Sequence, residues 1–178
     1  MEEFPWTTAQ TESRSKGLHL SGVIHDMDKV LSLTTRPDWD TDEKREETLM
    51  QFEKGWLWEE ALSRAFGAKG AHRIGEVSLD EIAMSPDGVV YGEDGKAIHI
   101  EEYKCTAYSS AKSPADMWRW MMQVKGYCKA VGVTKCVFRA LHLSFVPVYK
   151  VWEIVFTQRE LDENWEAVLN HVKTMKGE

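Results

Sequence analysis

Hydrophobic and polar residues alternate along this chain with two different periods. Where apolar residues recur every three to four positions, the pattern predicts amphipathic helices. These stretches cover residues 18–33, 43–66, 114–131 and 161–172. Segments of period two, or short apolar runs, predict strands between the helices. They cover residues 74–79, 89–91, 97–104, 135–143 and 148–156. This order of elements predicts an α/β fold in which a mixed central β-sheet is flanked by helices.

Turn and cap residues mark the boundaries of these elements. Gly67 and Gly132 follow the second and third helical stretches, and Pro114 suits a first helical turn. The sequence SPDG (85–88) is a turn signal before one short strand, and GEDGK (92–96) is another after it. The strands on either side of GEDGK are therefore predicted to form a β-hairpin.

Composition favours one globular domain over residues 1–178, with the polar segment 1–16 as a mobile N-terminal arm. The chain has 178 residues, of which 43% are hydrophobic, enough to bury a core. No window approaches the roughly 18 consecutive apolar residues that a membrane helix needs. The first ten residues are acidic and polar, unlike a secretory signal. We therefore expect no membrane partner.

The cysteines indicate a reducing compartment. Cys105, Cys128 and Cys136 are the three in the sequence, and none belongs to a CxxC pair. Three cysteines cannot build a disulfide framework, and they are too few for a four-cysteine zinc site or an iron–sulfur cluster. The expected location is the cytoplasm of a bacterial or phage-infected cell, with no iron–sulfur cluster.

Charge is distributed unevenly. The net charge of −7 argues against nucleic acid as a partner. Residues 38–60, however, carry nine acidic and three basic side chains, whereas residues 103–139 carry seven basic side chains and one acidic. A polyanion responds to the local field rather than to the sum. The basic segment is thus either a surface for a nucleic-acid strand or an ordinary solvated face.

The predicted hairpin carries the sharpest chemical signal. Asp87 lies in the turn before its first strand, and Glu102 and Lys104 lie two apart in its second strand, on one face. By the same alternation His99 and Glu101 lie on the opposite face. Two carboxylates and an ammonium group at a sheet edge suit a divalent cation such as Mg²⁺ or Mn²⁺. The alternative is a surface turn followed by a solvated strand face.

Five short stretches of the sequence occur in an order that can be compared with known protein families. They are 14–21, GWLWE (55–59), SPDG (85–88), EYKC (102–105) and MQVKGY (122–127). This series resembles the PD-(D/E)xK nuclease superfamily, and within it the lambda-exonuclease or YqaJ-like phage nucleases and their RecB-like relatives. The resemblance covers roughly residues 14–140 and implies a restriction-endonuclease-like core. The turn GEDGK is longer than the family usually has.

The resemblance implies roles for the matching residues. Asp87 and Glu102 match the metal-binding carboxylates, and Lys104 matches the catalytic lysine. Glu59 matches the helical glutamate that binds the metal directly or through water. The backbone carbonyl of Tyr103 completes the implied set of metal ligands.

The helix after the hairpin adds two further matches. Gln123 matches the glutamine that supports the site or contacts the substrate strand. Tyr127 matches the RecB-like tyrosine, and a buried core tyrosine is the open alternative. Trp118 and Trp120 precede them. Of these two and Trp56 and Trp58, we expect one to be exposed enough to touch a strand.

The remaining candidates concern DNA binding. Arg14 and Ser21 have the spacing of the 5′-phosphate clasp in the lambda-exonuclease group, and a mobile arm that carries Arg14 is the alternative. Lys112, Arg119 and Lys125 are the basic residues that we expect to track the strand.

The resulting hypothesis is an Mg²⁺-dependent DNA nuclease, with Mn²⁺ as a substitute, that hydrolyses phosphodiester bonds at DNA ends in recombination or repair. Two alternatives remain open. One is a structure- or single-strand-specific endonuclease, and the other is a catalytically idle nucleic-acid-binding protein of the same fold. The resemblance also leaves open a ring-forming homo-oligomer and a partner protein for single-strand annealing or recombination.

Overall fold

The computed structural model describes residues 17–32, 42–67, 69–143 and 145–177 of the chain. The helices in these ranges are α1 (Leu20–Ser32), α2 (Asp42–Gly67), α3 (Trp118–Val131) and α4 (Gln158–Lys176), with a 3₁₀-helix at Pro114–Asp116. The strands are β1 (Leu18–His19), β2 (Ala71–His72), β3 (Val77–Leu79), β4 (Ile82–Met84), β5 (Gly88–Tyr91), β6 (Ala97–Thr106), β7 (Lys135–His142) and β8 (Val148–Val155).

The main sheet has five strands in the order β2-β5-β6-β7-β8. β5 and β6 form the expected antiparallel hairpin, and β7 and β8 are also antiparallel. β6 and β7 are parallel, so the chain must cross over between them, and α3 makes that crossover. β6 therefore lies in the middle of the sheet, where both of its faces can be covered.

Helices cover both faces of this sheet. On one face Trp120 of α3 packs against Phe138 of β7, with ring centroids 5.4 Å apart, and α1 and α4 pack against α3. On the other face α2 packs against β6, where Phe66 approaches Tyr103 at 6.5 Å. The mixed central sheet flanked by helices is thus confirmed. Within the described ranges no helix has both the length and the apolar character needed to cross a bilayer.

Periodicity failed to locate the short strands β1, β2 and β4, whereas β3 lies within the predicted strand 74–79. β4 pairs with β1 and β3 in a second, three-stranded sheet. β3 and β4 form an antiparallel hairpin. The turn between them consists of Asp80 and Glu81, whose φ angles of +48° and +64° fit a tight two-residue turn. Strands of two or three residues are too short to show a period. The last helix also starts earlier than expected, because Thr157 and Glu160 form a capping box. The single-domain assignment stays a prediction.

Candidate active site

The turn SPDG delivers Asp87 to the middle of β6. Gly88 is paired with Glu101, which places Asp87 beside Glu102 and Tyr103. The backbone N–H of Tyr103 donates to Asp87 Oδ2 at 2.7 Å. A Cβ at Gly88 would lie 3.3 Å from Tyr103 Oη, so the glycine permits this close approach. Turn and strand are therefore held in register at the carboxylate.

The pKa of Asp87 lies far above its ordinary value, at about 8. Burial is the main cause, because it disfavours the charged form, and the negative charge of Glu102 adds to it. The charge of Lys104, the N–H of Tyr103 and the charge of Arg73 all act in the opposite direction. In the absence of a further cation, the site therefore resists holding both carboxylates ionised.

Glu102 and Lys104 form a buried ion pair that uses only one of the two carboxylate oxygens of Glu102. Only 1% of Glu102 is exposed, and Lys104 Nζ donates to its Oε1. Glu102 Oε2 is also buried and has no hydrogen-bond partner among the described residues. Burial lowers the pKa of Lys104, but attraction to Glu102 and Asp87 outweighs it, so the net shift is upward. The lysine is therefore an ammonium ion at neutral pH.

These groups fit a hard divalent cation. Two carboxylates stand together, one with a buried oxygen that lacks a partner and the other with a raised pKa, and a nearby cation would relieve both conditions. Among the described residues, no cluster of three or more His, Cys, Asp or Glu side chains could hold a metal by itself. The further ligands that the resemblance implies, Glu59 and the backbone carbonyl of Tyr103, stay predictions.

Glu59 is connected to the site by an arginine that interacts with both Glu59 and Asp87. It lies on α2 with 19% of its side chain exposed, and it forms an ion pair with Arg73. The charge of Arg73 also lowers the pKa of Asp87, so the guanidinium lies within electrostatic range of both acids. No motif indicated Arg73, since it follows the two-residue strand β2 that periodicity missed. The metal-ligand role of Glu59 stays a prediction.

Gln123 and Tyr127 are one turn apart on α3. Gln123 Nε2 donates to Tyr127 Oη at 2.6 Å. Tyr127 is 5% exposed and belongs to the hydrophobic core, which is the alternative that the sequence left open. A strand could contact the exposed part of Gln123 more readily than the tyrosine ring. Gln123 is thus held in place by a buried side chain.

The residues proposed to bind DNA have different surroundings in the structure, and their role stays a prediction. Lys112 is exposed, whereas Arg119 bonds Asp28 of α1 at 3.2 Å. Lys125 lies over the ring of Phe156, 5.6 Å from its centroid. Six residues along a helix amount to about 120° of net rotation, so Arg119 and Lys125 point in different directions. Ser21 is exposed in the first turn of α1. Arg14 lies outside the described residues.

The opposite face of β6 holds a second buried pair. The alternation of β6 placed Glu101 there, and the structure buries it to 3% exposure. Arg139 bonds both of its oxygens, at 2.7 Å and 3.0 Å. The guanidinium also donates to Tyr149 Oη at 3.2 Å and stacks on Phe66 at 3.7 Å. A basic residue within an apolar strand was the sequence signal that could have indicated this pair.

Solved structures share this fold. LHK-Exo, an alkaline exonuclease from Laribacter hongkongensis, is 15% identical with a TM-score of 0.55, over 90% of this chain and 88% of its own. The structure of LHK-Exo in complex with dAMP is 14% identical with the same TM-score and coverage. SSO0001 is 11% identical with a TM-score of 0.52, over 88% of this chain and 76% of its own. No protein-family profile and no curated protein sequence matches the chain.

Proposed function

We propose that this protein is a metal-dependent deoxyribonuclease that acts on DNA ends, with its reaction centre at Asp87, Glu102 and Lys104. The observation that carries the proposal is the buried Glu102 Oε2, which lacks a partner beside a second carboxylate of raised pKa. A stable fold gains nothing from such a group, so a bound cation is the simplest reason for keeping it. The fold similarity to LHK-Exo, an alkaline exonuclease, supports the same choice.

In this proposal the groups that would hold Mg²⁺, for which Mn²⁺ can substitute, are Asp87, Glu102, Glu59 and the backbone carbonyl of Tyr103. When bound, the ion would act as a Lewis acid, which polarises a phosphodiester and lowers the pKa of water. The ammonium group of Lys104, held by Glu102 Oε1, orients the attacking water and offsets the negative charge that develops on the phosphoryl oxygens. Gln123, fixed by Tyr127, positions the substrate strand.

Exonuclease action is preferred because LHK-Exo is named as an exonuclease and is also known in complex with dAMP, a single deoxynucleotide. Recombination or repair, a homo-oligomer and a partner protein for strand annealing belong to the same proposal. The predicted clasp of Arg14 and Ser21 adds that a 5′-phosphate marks the strand end to be digested, since a guanidinium binds a terminal dianion through paired hydrogen bonds.

The test is digestion of linear and circular plasmid with Mg²⁺ and with EDTA. We expect Mg²⁺-dependent loss of the linear form, faster with a 5′-phosphate than with a 5′-hydroxyl. Glu102→Gln should be inactive. Glu93→Gln is the matched control, because Glu93 is an exposed acid on the same hairpin. Cleavage of the circular form would indicate an endonuclease. Equal rates on 5′-phosphorylated and 5′-hydroxyl linear DNA would contradict the predicted 5′-phosphate clasp. No cleavage of any form would reject the nuclease.

A further inference from the structure

An exposed aromatic ring with cations around it follows directly after β6. Tyr108 is 41% exposed, and the ammonium group of Lys112 lies over its ring, 5.9 Å from the centroid. Arg119 Nη2 donates to Tyr108 Oη at 3.5 Å. Trp118, the residue before Arg119, is 38% exposed. We call Tyr108, Lys112 and Arg119 the Tyr108 platform; Trp118 is the exposed tryptophan that the sequence led us to expect.

The loop beneath this platform is fixed from the sheet. His142 of β7 is 1% exposed, and its Nδ1–H donates to the carbonyl oxygen of Tyr108 at 3.0 Å. Lys150 of β8 donates to the carbonyl oxygen of Ser110. The N–H of Tyr108 in turn donates to Thr106 Oγ1 at 3.1 Å. Side chains from two neighbouring strands thus hold this surface loop in place. Because the loop is already ordered, less conformational entropy is lost when a ligand binds to it.

The ring itself is braced on one side and accessible on another. Trp120 meets Tyr108 in a T-shaped contact with centroids 5.9 Å apart, and Trp120 packs on Phe138 in the core. The ring is 41% exposed, and the side chain of Lys112, whose ammonium group lies 5.9 Å from the ring centroid, is flexible and can move aside. A planar base can therefore stack on Tyr108 while the ammonium group turns to an adjacent phosphate.

The platform also lies close to the candidate reaction centre. Tyr108 follows Lys104 by four residues, and four residues of extended chain span about 13 Å. Arg119 is partly neutralised by Asp28, which leaves Lys112 as the more available cation of the two. Aromatic rings interleaved with basic groups are the arrangement that holds unpaired nucleotides.

We propose that the Tyr108 platform binds a single-stranded stretch of DNA, with one unpaired base stacked on Tyr108 and its phosphates near Lys112 and Arg119. This deepens the proposed function and rests on it for the choice of DNA as ligand. The bases of a duplex are paired and stacked on each other, so an intact duplex cannot use the ring in this way.

The test is the binding of a fluorescein-labelled oligothymidylate, measured by fluorescence anisotropy in EDTA, where cleavage does not interfere. Tyr108→Ala should weaken binding about 5- to 150-fold, the range for loss of one base–aromatic stack. Tyr108→Phe should bind like the wild type. Tyr108→Leu should show the loss as well, because it keeps apolar bulk without an aromatic face. It also keeps the test valid if the alanine variant does not fold.

Two controls isolate stacking from charge. Tyr91→Ala is the matched variant, since Tyr91 is also 41% exposed but lies on β5, and it should leave binding unchanged. On an abasic strand of equal length, Tyr108→Ala should have no effect. Normal binding by Tyr108→Leu, an equal loss on the abasic strand, or no binding by the wild type would overturn the inference. Plasmid digestion is scored separately, so an active nuclease that binds without Tyr108 rejects only this inference.

Discussion

Two consecutive glutamates on β6 show how differently a fold can treat similar buried acids. Glu101 and Glu102 are 3% and 1% exposed, on opposite faces of the same strand. Arg139 bonds both oxygens of Glu101 and is itself held by Tyr149 and Phe66. Glu102 has Lys104 on one oxygen and no described partner on the other.

The difference distinguishes a structural pair, Glu101–Arg139, from the pair Glu102–Lys104, to which the proposed function assigns the chemistry and which we call the chemical pair. A buried ion pair is tolerated when its geometry is good and all its hydrogen-bonding groups are used, as at Glu101. At Glu102 one oxygen is unused, and Asp87 adds a second carboxylate whose pKa burial and Glu102 raise to about 8. Burial alone therefore does not single out a candidate reaction centre, and it is the oxygen of Glu102 without a partner together with the raised pKa of Asp87 that supports the proposed one.

The strongest test removes the cation of the chemical pair. We expect Lys104→Ala to lower the cleavage rate about 10³-fold, roughly 4 kcal/mol, because the ammonium group acts on the transition state. DNA binding should survive. Rates are to be measured at saturating Mg²⁺, where the ion offsets the two carboxylates, with Lys96→Ala on the same hairpin as control. A variant that kept most of its rate would remove Lys104 from the chemistry.

The next test removes the cation of the structural pair. Arg139→Met should lower the free energy of unfolding by about 3 kcal/mol, since it leaves Glu101 buried without a partner. Urea denaturation measures this change. Adding Glu101→Leu should recover much of the stability, whereas the cleavage rate per folded molecule should stay near the wild-type value in both variants. A lost rate with unchanged stability would reverse the roles of the two pairs.

The third test concerns pH. The pKa of Asp87 is about 8 in the folded protein and about 4 when unfolded. Between these values the folded state binds the extra proton, so metal-free stability should fall as pH rises from 4 to 8. Asp87→Asn should remove this decline, a difference on the order of 10 °C in Tm between pH 5 and pH 8, since each pKa unit is worth about 1.4 kcal/mol and each kcal/mol shifts Tm by about 2–4 °C.

The measurement for this test is Tm in EDTA at pH 5 and pH 8, for the wild type and Asp87→Asn. Calorimetric titration with Mn²⁺ is the companion experiment. Asp87→Asn and Glu102→Gln should each weaken binding, because an amide replaces an anionic oxygen ligand. Parallel pH profiles for the two proteins would contradict the raised pKa of Asp87, and Mn²⁺ binding unchanged by both substitutions would contradict the proposed metal site.

The sequence by itself determined the elements that depend on near neighbours. Helical periodicity located α2, α3 and most of α4, because residues three or four apart share a helix face. The turn sequences SPDG and GEDGK located the hairpin, and period two placed Glu102 and Lys104 on one face. The resemblance carried by the same short motifs already implied Asp87, Glu102 and Lys104 as one set.

Only the tertiary structure decided which charges are compensated. Five of the seven basic residues in segment 103–139 are paired with acids, mostly from distant parts of the chain. These pairs are Lys104–Glu102, Arg119–Asp28, Lys129–Asp162, Lys135–Glu153 and Arg139–Glu101. The local charge count therefore overstates how many cations stand without an acidic partner, and the role of the segment in tracking a strand stays a prediction.

The roles of Glu101 and Arg73 were hidden for the same reason. Arg139 lies 38 residues beyond Glu101, and Arg73 meets Glu59 only after α2 has turned back into β2. Periodicity reports which face a side chain occupies, and an ion pair depends on what the folded chain places opposite it. The sequence thus determined which element and which face carry each acidic and basic side chain. The tertiary structure decided which of these side chains have an ion-pair partner.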